Sequence, residues 1–204
     1  MNFFKSIKEG QEDKTVIATV NGEPIYKSSV EIKKNFYKLS TELSTKQINE
    51  MVISDDEKQV LLEKLSSTNS KTDKEILDDL IKQKVVLQEA HKKGLTVSDD
   101  EAYQYAKEQI ELCKKAGSDE NATETNKKNY EFMLAYMEEM QFTEAEYIDN
   151  AKDSYKNMLE KGLLYKDFKE EYSKNNGDEN ELENAIRNYE DELVSKAKIV
   201  YYNN

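Results

Sequence analysis

The sequence predicts a mainly α protein with a small three-stranded β-sheet formed by the two chain ends. Val16–Tyr26, VIATVNGEPIY, reads as a hairpin, and Lys198–Tyr202, KIVYY, is a β-rich run at the other end. Between them lies a long stretch with helical apolar spacing; the whole chain has 6 glycines and 1 proline. A hairpin alone is marginal in water, so the terminal run is expected to dock beside it.

In the first strand Val16, Ala18 and Val20 alternate with Ile17 and Thr19, the two-residue period of a pleated surface. Asn21-Gly22 tolerates the positive φ angles of a tight hairpin turn. Glu23 to Tyr26 run back. Pro24 cannot donate to a ladder, so this return strand is expected to be short and on an edge.

Helix starts are marked by Ser or Thr with Glu three residues later, a pattern that satisfies two orphan backbone donors reciprocally. It occurs at Ser28/Glu31, Ser54/Glu57, Thr72/Glu75, Ser98/Glu101 and Thr143/Glu146, with Asp178/Glu181 as a weaker relative. The first helix is predicted from Ser28 to Leu43, anchored by Val30, Phe36, Tyr37 and Leu39. The second runs from Ser54 to Leu65 on Val60, Leu61, Leu62 and Leu65, followed by a polar loop, Ser66 to Lys71. The third, Asp73 to Lys93, places Ile76, Leu77, Leu80, Ile81, Val85, Leu87 and Ala90 mostly on one face. Gly94 suits a left-handed cap there. The fourth, Ser98 to Ala116, is expected to end at Gly117, and Ser118 to Asn126 reads as a loop. The fifth runs from Lys127 to Gln141. The sixth starts at Glu144 and is expected to break or bend at Gly162. After a break at Asn175–Asp178, the last helix runs from Glu179 to Lys196.

This pattern divides into a flexible segment, 1–15, a main body, 16–117 plus 178–203, and a helical arm, 118–177. Hydrophobic residues are 37% and charged residues 35% of the 204, enough for a lean core. The net charge of −12 argues against nucleic acid, whose phosphates must be met by Lys and Arg. No apolar run approaches the ~18 residues that cross a bilayer, so membrane insertion is not expected. Met1 to Lys14 lacks the apolar core of a signal peptide.

No catalytic constellation emerges. His91 is the only histidine and suits a helix C-terminus, while a metal or triad needs partners of its type. Cys113, the only cysteine, has no CxxC or His companion and reads as a small hydrophobe. Asp55-Asp56 and Asp99-Asp100 fall in first helical turns, where the dipole accounts for them. No phosphate-cradling loop or calcium spacing occurs, so no cofactor, no metal and no enzyme activity are expected.

Phe132, Met133, Tyr136, Met137, Met140 and Phe142 form a stripe on and just beyond the fifth helix. Met-rich stripes serve surfaces that accept many sequences, and they also build cores. A broad stripe can bury one edge and expose the other.

Three segments together resemble the N-terminal domain of the SurA/PrsA folding factors. Val16 to Ile25 is similar to that family's opening strand and turn. Leu77 to Glu101, LDDLIKQKVVLQEAHKKGLTVSDDE, is similar to its helix, glycine, link and helix start. Ala197 to Tyr202 is similar to its closing strand. Phe142 to Tyr147 also resembles the segment before the family's next helix. The resemblance implies a helical, chaperone-like module that holds unfolded or extended polypeptides. Many relatives carry a parvulin prolyl-isomerase domain before the last helix and strand; here that place is the seven residues Asn175 to Glu181, so isomerase activity is not expected. The expected binding site is an apolar groove between body and arm, with Phe132, Met133, Tyr136, Met137, Met140 and Phe142 as candidate peptide-binding residues, and with strand addition at an exposed sheet edge. The alternative is an interaction protein that docks one dedicated folded partner or forms a homodimer through the same stripe. The resemblance implies an extracytoplasmic, cell-envelope location; without a recognisable signal a cytoplasmic one stays open.

Overall fold

A computed structural model describes residues 13–175 and 177–202. Most of the segment expected to be flexible, residues 1–12, and Asn176 of the expected late break lie outside the described residues. The order is β1 (Val16–Val20), β2 (Glu23–Tyr26), α1 (Lys27–Glu50), α2 (Asp55–Asn69), α3 (Asp73–Lys92), α4 (Asp99–Ser118), α5 (Glu124–Met140), α6 (Glu144–Lys174), a 3-10 turn (Glu179–Glu181), α7 (Leu182–Lys196) and β3 (Ile199–Tyr201). The predicted class holds: seven helices and one three-stranded sheet among the described residues.

The sheet order is β2-β1-β3. Asn21 and Gly22 both have positive φ, 51° and 89°, the conformation a two-residue hairpin turn requires. The strand with Pro24 is an edge, where a missing donor is tolerated. β3 pairs antiparallel with β1, Val20 opposite Ile199 and Ala18 opposite Tyr201. The Tyr202 N–H donates to the Ile17 carbonyl (2.9 Å), and the Asn21 N–H donates to the Lys198 carbonyl (2.9 Å). The Asn21 side chain completes a clamp. Its Oδ1 accepts from the Lys198 N–H (2.8 Å), and its Nδ2 donates to the Gln88 side chain (2.8 Å). Gln88 in turn donates to the Val20 carbonyl (3.0 Å). One turn residue thereby ties the hairpin to β3 and to α3.

Four of the five Ser/Thr-Glu pairs cap as predicted. At Ser54, Thr72, Ser98 and Thr143 the hydroxyl accepts from the N–H of the Glu, which reaches back to the cap. Ser28/Glu31 does not cap: α1 follows β2 directly from Tyr26 with no side-chain cap, and Ser28 is buried instead. Asp178 accepts from the Asn180 N–H, opening the 3-10 turn rather than a helix. Thr123, capping the Asn126 N–H, starts α5 three residues earlier than Lys127. The first helix continues to Glu50 and the second through the expected loop to Asn69.

The two mid-chain glycines differ from expectation for opposite reasons. Gly117 lies inside α4, not after it, and a Cβ there would meet the Tyr130 Cβ at 2.3 Å and the Asn126 carbonyl oxygen at 2.9 Å. It is small because α5 crosses there. Gly162 does not break α6, which runs unbroken from Glu144 to Lys174, and a Cβ there would meet nothing within 4 Å. Gly94 does cap α3: its N–H donates to the His91 carbonyl (3.0 Å), and the Leu95 N–H donates to the Ala90 carbonyl (2.9 Å). Gln141 ends α5 in the same left-handed conformation.

The chain divides into two compact units. Of the described residues, 13–15, 26–77 and 109–147 belong to the first, and the remainder to the second; α3, α4 and α6 contribute to both. In the first, α1 packs against α2 and α5. Its buried apolar residues include Val30, Leu39, Ile48, Ile76, Ile110, Met133 and Met140. Phe36, Val60 and Leu61, expected as anchors, are exposed. No residue of α2 whose side chain is described is fully buried, so its apolar residues sit at the boundary with solvent. In the second unit the core joins Ala18, Val20 and Ile25 of the sheet to helix residues Ile81, Val85, Val86, Ala90, Ala102, Ala106, Ile148 and Leu164. Leu95 and Tyr189 pack on Val86, Ala90 and Leu164.

Asn21→Ala removes the side-chain clamp and replaces a residue that tolerates positive φ with one that tolerates it less well, lowering unfolding free energy by about 2 kcal/mol in urea titration. Gly162→Ala raises stability by about 0.5–1 kcal/mol through helix propensity, whereas Gly117→Ala lowers it by about 1–3 kcal/mol through overpacking.

Candidate functional site

The predicted stripe is divided by burial. Met133 and Met140 are core, 6% and 3% exposed; Phe132, Tyr136, Met137 and Phe142 are half-buried. The structure brings Tyr136, Met140 and Phe142 together with Leu39 and Leu43 of α1 in one cluster. The Phe142 position follows from the end of α5: with Gln141 left-handed, the Phe142 N–H donates to the Met137 carbonyl (2.9 Å) and the chain turns back. Burial pushes the Tyr136 phenol up.

From this cluster an aromatic string reaches the surface. Tyr136 lies 5.9 Å from Tyr147 and 6.2 Å from Phe36, and Phe36 lies 6.2 Å from Tyr37. Phe36 is 42% exposed. The Lys33 ammonium stands 5.9 Å from the Phe36 ring and 5.6 Å from the Tyr37 ring, and Lys71 stands 5.8 Å from Tyr37. Leu134 is also exposed on α5. Sequence reasoning assigned Phe36 to the core and passed over Leu134. Apolar spacing alone does not separate the core edge of a helix from its rim.

The second unit offers an open sheet edge. Hydrogen bonds at Lys198 and Tyr202 fix the alternation of β3: Lys198, Val200 and Tyr202 address β1, so the backbone groups of Ile199 and Tyr201 point the other way. Among the described residues no strand pairs with that side. Val200, Tyr201 and Tyr202 are exposed.

The same unit carries two buried carboxylates that the sequence did not single out. Glu160, 1% exposed, receives the Val97 N–H (3.1 Å) and lies 2.8 Å from His91 Nε2. It braces the α3–α4 link against α6, which gives His91 a structural partner. Glu190 on α7 is held by the Tyr165 hydroxyl and by Lys82 (2.9 Å) and Lys161 (3.4 Å). Burial opposes ionisation of Glu190, but these donors outweigh it and hold the carboxyl below the ordinary range. The Tyr165 phenol is pushed up by burial and by the carboxylate beside it. Cys113 is half-buried and burial pushes its thiol up, opposite to a reactive thiolate. Among the described residues no group of three or more His, Cys, Asp or Glu side chains is placed to hold a metal ion. No helix of the described residues is long and apolar enough to cross a membrane.

The family described as the SurA-like N-terminal domain matches residues 3–125, more than half of the chain. The match takes in β1, β2 and α1 to α4, and includes the Leu77 to Glu101 segment; β3 lies beyond it. No curated protein and no solved structure matches the chain.

The depressed Glu190 carboxyl sets a pH dependence. A group with a lower pKa folded than unfolded stabilises above its unfolded pKa, and that stabilisation is lost as pH falls through the folded value. Glu190→Gln therefore destabilises at pH 7 by about 1–3 kcal/mol. The gap to the parent protein in urea titration narrows as the pH falls below about 4.

Proposed function

The chain belongs to the SurA-like N-terminal domain family, and from that membership we propose that it is a non-catalytic, chaperone-like module that binds unfolded or extended polypeptide segments. The observation that carries this reading is the aromatic string of the first unit. Phe36, Tyr37 and Tyr136 form a continuous surface anchored on the buried Leu39 and Met140. Flat rings over a rigid base, with flexible Met beneath, suit many weak contacts with apolar side chains and set no demand for one sequence. The outward backbone groups of Ile199 and Tyr201 support strand addition by an extended segment in the second unit.

Binding of this kind needs no cofactor or nucleotide. Prolyl isomerisation is not part of the reading: Asn175 to Glu181, where many relatives insert a parvulin domain, includes a short 3-10 turn capped by Asp178. The clients are polypeptides exposed before they fold, and membership points to the cell envelope as their location.

Light scattering of a chemically unfolded client, diluted into buffer with increasing amounts of this protein, tests the reading. Aggregation falls at near-stoichiometric ratios. Phe36→Ser, at an exposed position, raises the amount required about threefold or more. Tyr201→Pro removes one outward donor while leaving the N–H groups that face β1, and it weakens protection of strand-forming clients. Equal aggregation with and without the protein, across several clients, overturns the proposal.

A further inference from the structure

A second apolar feature in the first unit has a charge pattern of its own. The link from α1 to α2 consists of Met51, Val52, Ile53 and the cap Ser54. Val52 is 103% exposed and Ile53 is exposed as well. With Gln47 and Glu50 of α1, and Glu124, Lys128 and Glu131 of α5, this link lines an open groove of about 450 Å³. The volume admits a few side chains of an extended segment.

The apolar lip is bounded by negative charge. Three carboxylates, Glu50, Glu124 and Glu131, line the groove with one ammonium, Lys128, which is already 3.4 Å from Glu124. The last turn of α1 carries no basic residue and has Glu50 at its end, against the preference of a helix C-terminus for cations. The partial negative charge of that terminus adds to the rim. Lys58 answers part of it by donating to the Asn49 carbonyl (2.9 Å). The groove walls are tied together, since the Gln47 side chain donates to the Lys128 carbonyl (3.2 Å). An exposed apolar lip with an acidic rim is complementary to a cation beside an apolar side chain. A second copy of this chain, with a net charge of −12, is disfavoured there by like-charge repulsion.

We propose that the groove at Met51–Ile53 binds extended polypeptide segments in which Lys or Arg neighbours a large apolar residue. This rests on the peptide-binding reading above and names the client class for one site. Val52 and Ile53 contact the apolar side chain, and Glu50 and Glu131 meet the cation.

The test uses fluorescence anisotropy of two labelled peptides with one leucine pattern, interspersed with arginine in the first and glutamine in the second. The arginine peptide binds the full chain more tightly, and its advantage shrinks with added salt. Glu50→Gln with Glu131→Gln weakens the arginine peptide about fivefold and leaves the glutamine peptide within about twofold. Val52→Ser weakens both, and its full exposure leaves folding intact. Glu108→Gln with Glu170→Gln, exposed acids of the second unit, is the control for net charge. Equal loss in the control and groove variants overturns the site, as does unchanged affinity in the groove variants. A change of oligomeric state on Val52→Ser also overturns it, because the groove then seats a second copy. Client protection measured in parallel separates the two readings: protection retained by all groove variants with no charge preference overturns this site alone, whereas absence of both protection and peptide binding overturns the general function as well.

Discussion

The fold depends on the pairing of β1 with β3, because that ladder returns the far end of the chain to its beginning. Closing so long a loop carries an entropy cost that grows only slowly with length, but three strand residues give few hydrogen bonds to set against it. Asn21 enlarges the junction. Its backbone and side chain both engage Lys198, and its amide continues through Gln88 to the Val20 carbonyl. The sheet is thereby fastened to α3 as well as to itself. The Ala18 and Val20 side chains on the inward face are wholly buried, so a one-residue slip would turn both into solvent.

The second unit supplements a small-residue core with charge. Ala18, Ala90, Ala102 and Ala106 allow close backbone approach but bury little apolar area each. Glu160 and Glu190 occupy interior positions between helices, and each is answered by donors from another element. A buried ion pair is weak support for net stability, since desolvation offsets its attraction. Its consequence is directional: Glu160 aligns α6 with the Val97 amide, and Glu190 aligns α7 with Lys82 and Lys161. An apolar substitute has no comparable preference for one rotation of the helix.

Legibility in the sequence followed the range of the interaction. The hairpin turn, the cap at Gly94 and four Ser/Thr-Glu boxes are local, and each was read correctly from adjacent residues. Ser28/Glu31 has the same local pattern, but the helix grows directly out of β2 and burial claims the serine. Gly117 looked like a terminator because its partner, Tyr130, lies on the next helix. Glu160 and Glu190 were invisible among so many surface acids, since their donors stand on other elements. At the candidate surface the stripe was found as a set of residues, but not its division: Met133 and Met140 face inward, while Phe36, on a different helix, extends the same aromatic surface outward. Periodicity identifies a face and says nothing of what covers it.

Exposure of that kind stands beside a strongly acidic composition. Phe36, Val52, Ile53, Val60, Leu61 and Leu134 are all exposed within the first unit, and such surface favours self-association. Repulsion between copies, each at −12, acts at longer range than apolar contact. Such repulsion opposes contact between two acidic copies and does not act on a neutral or cationic polypeptide. The carboxylates beside Met51–Ile53 are a local concentration of the charge spread over the whole molecule, so screening by salt weakens their field at that groove as it weakens the repulsion between copies.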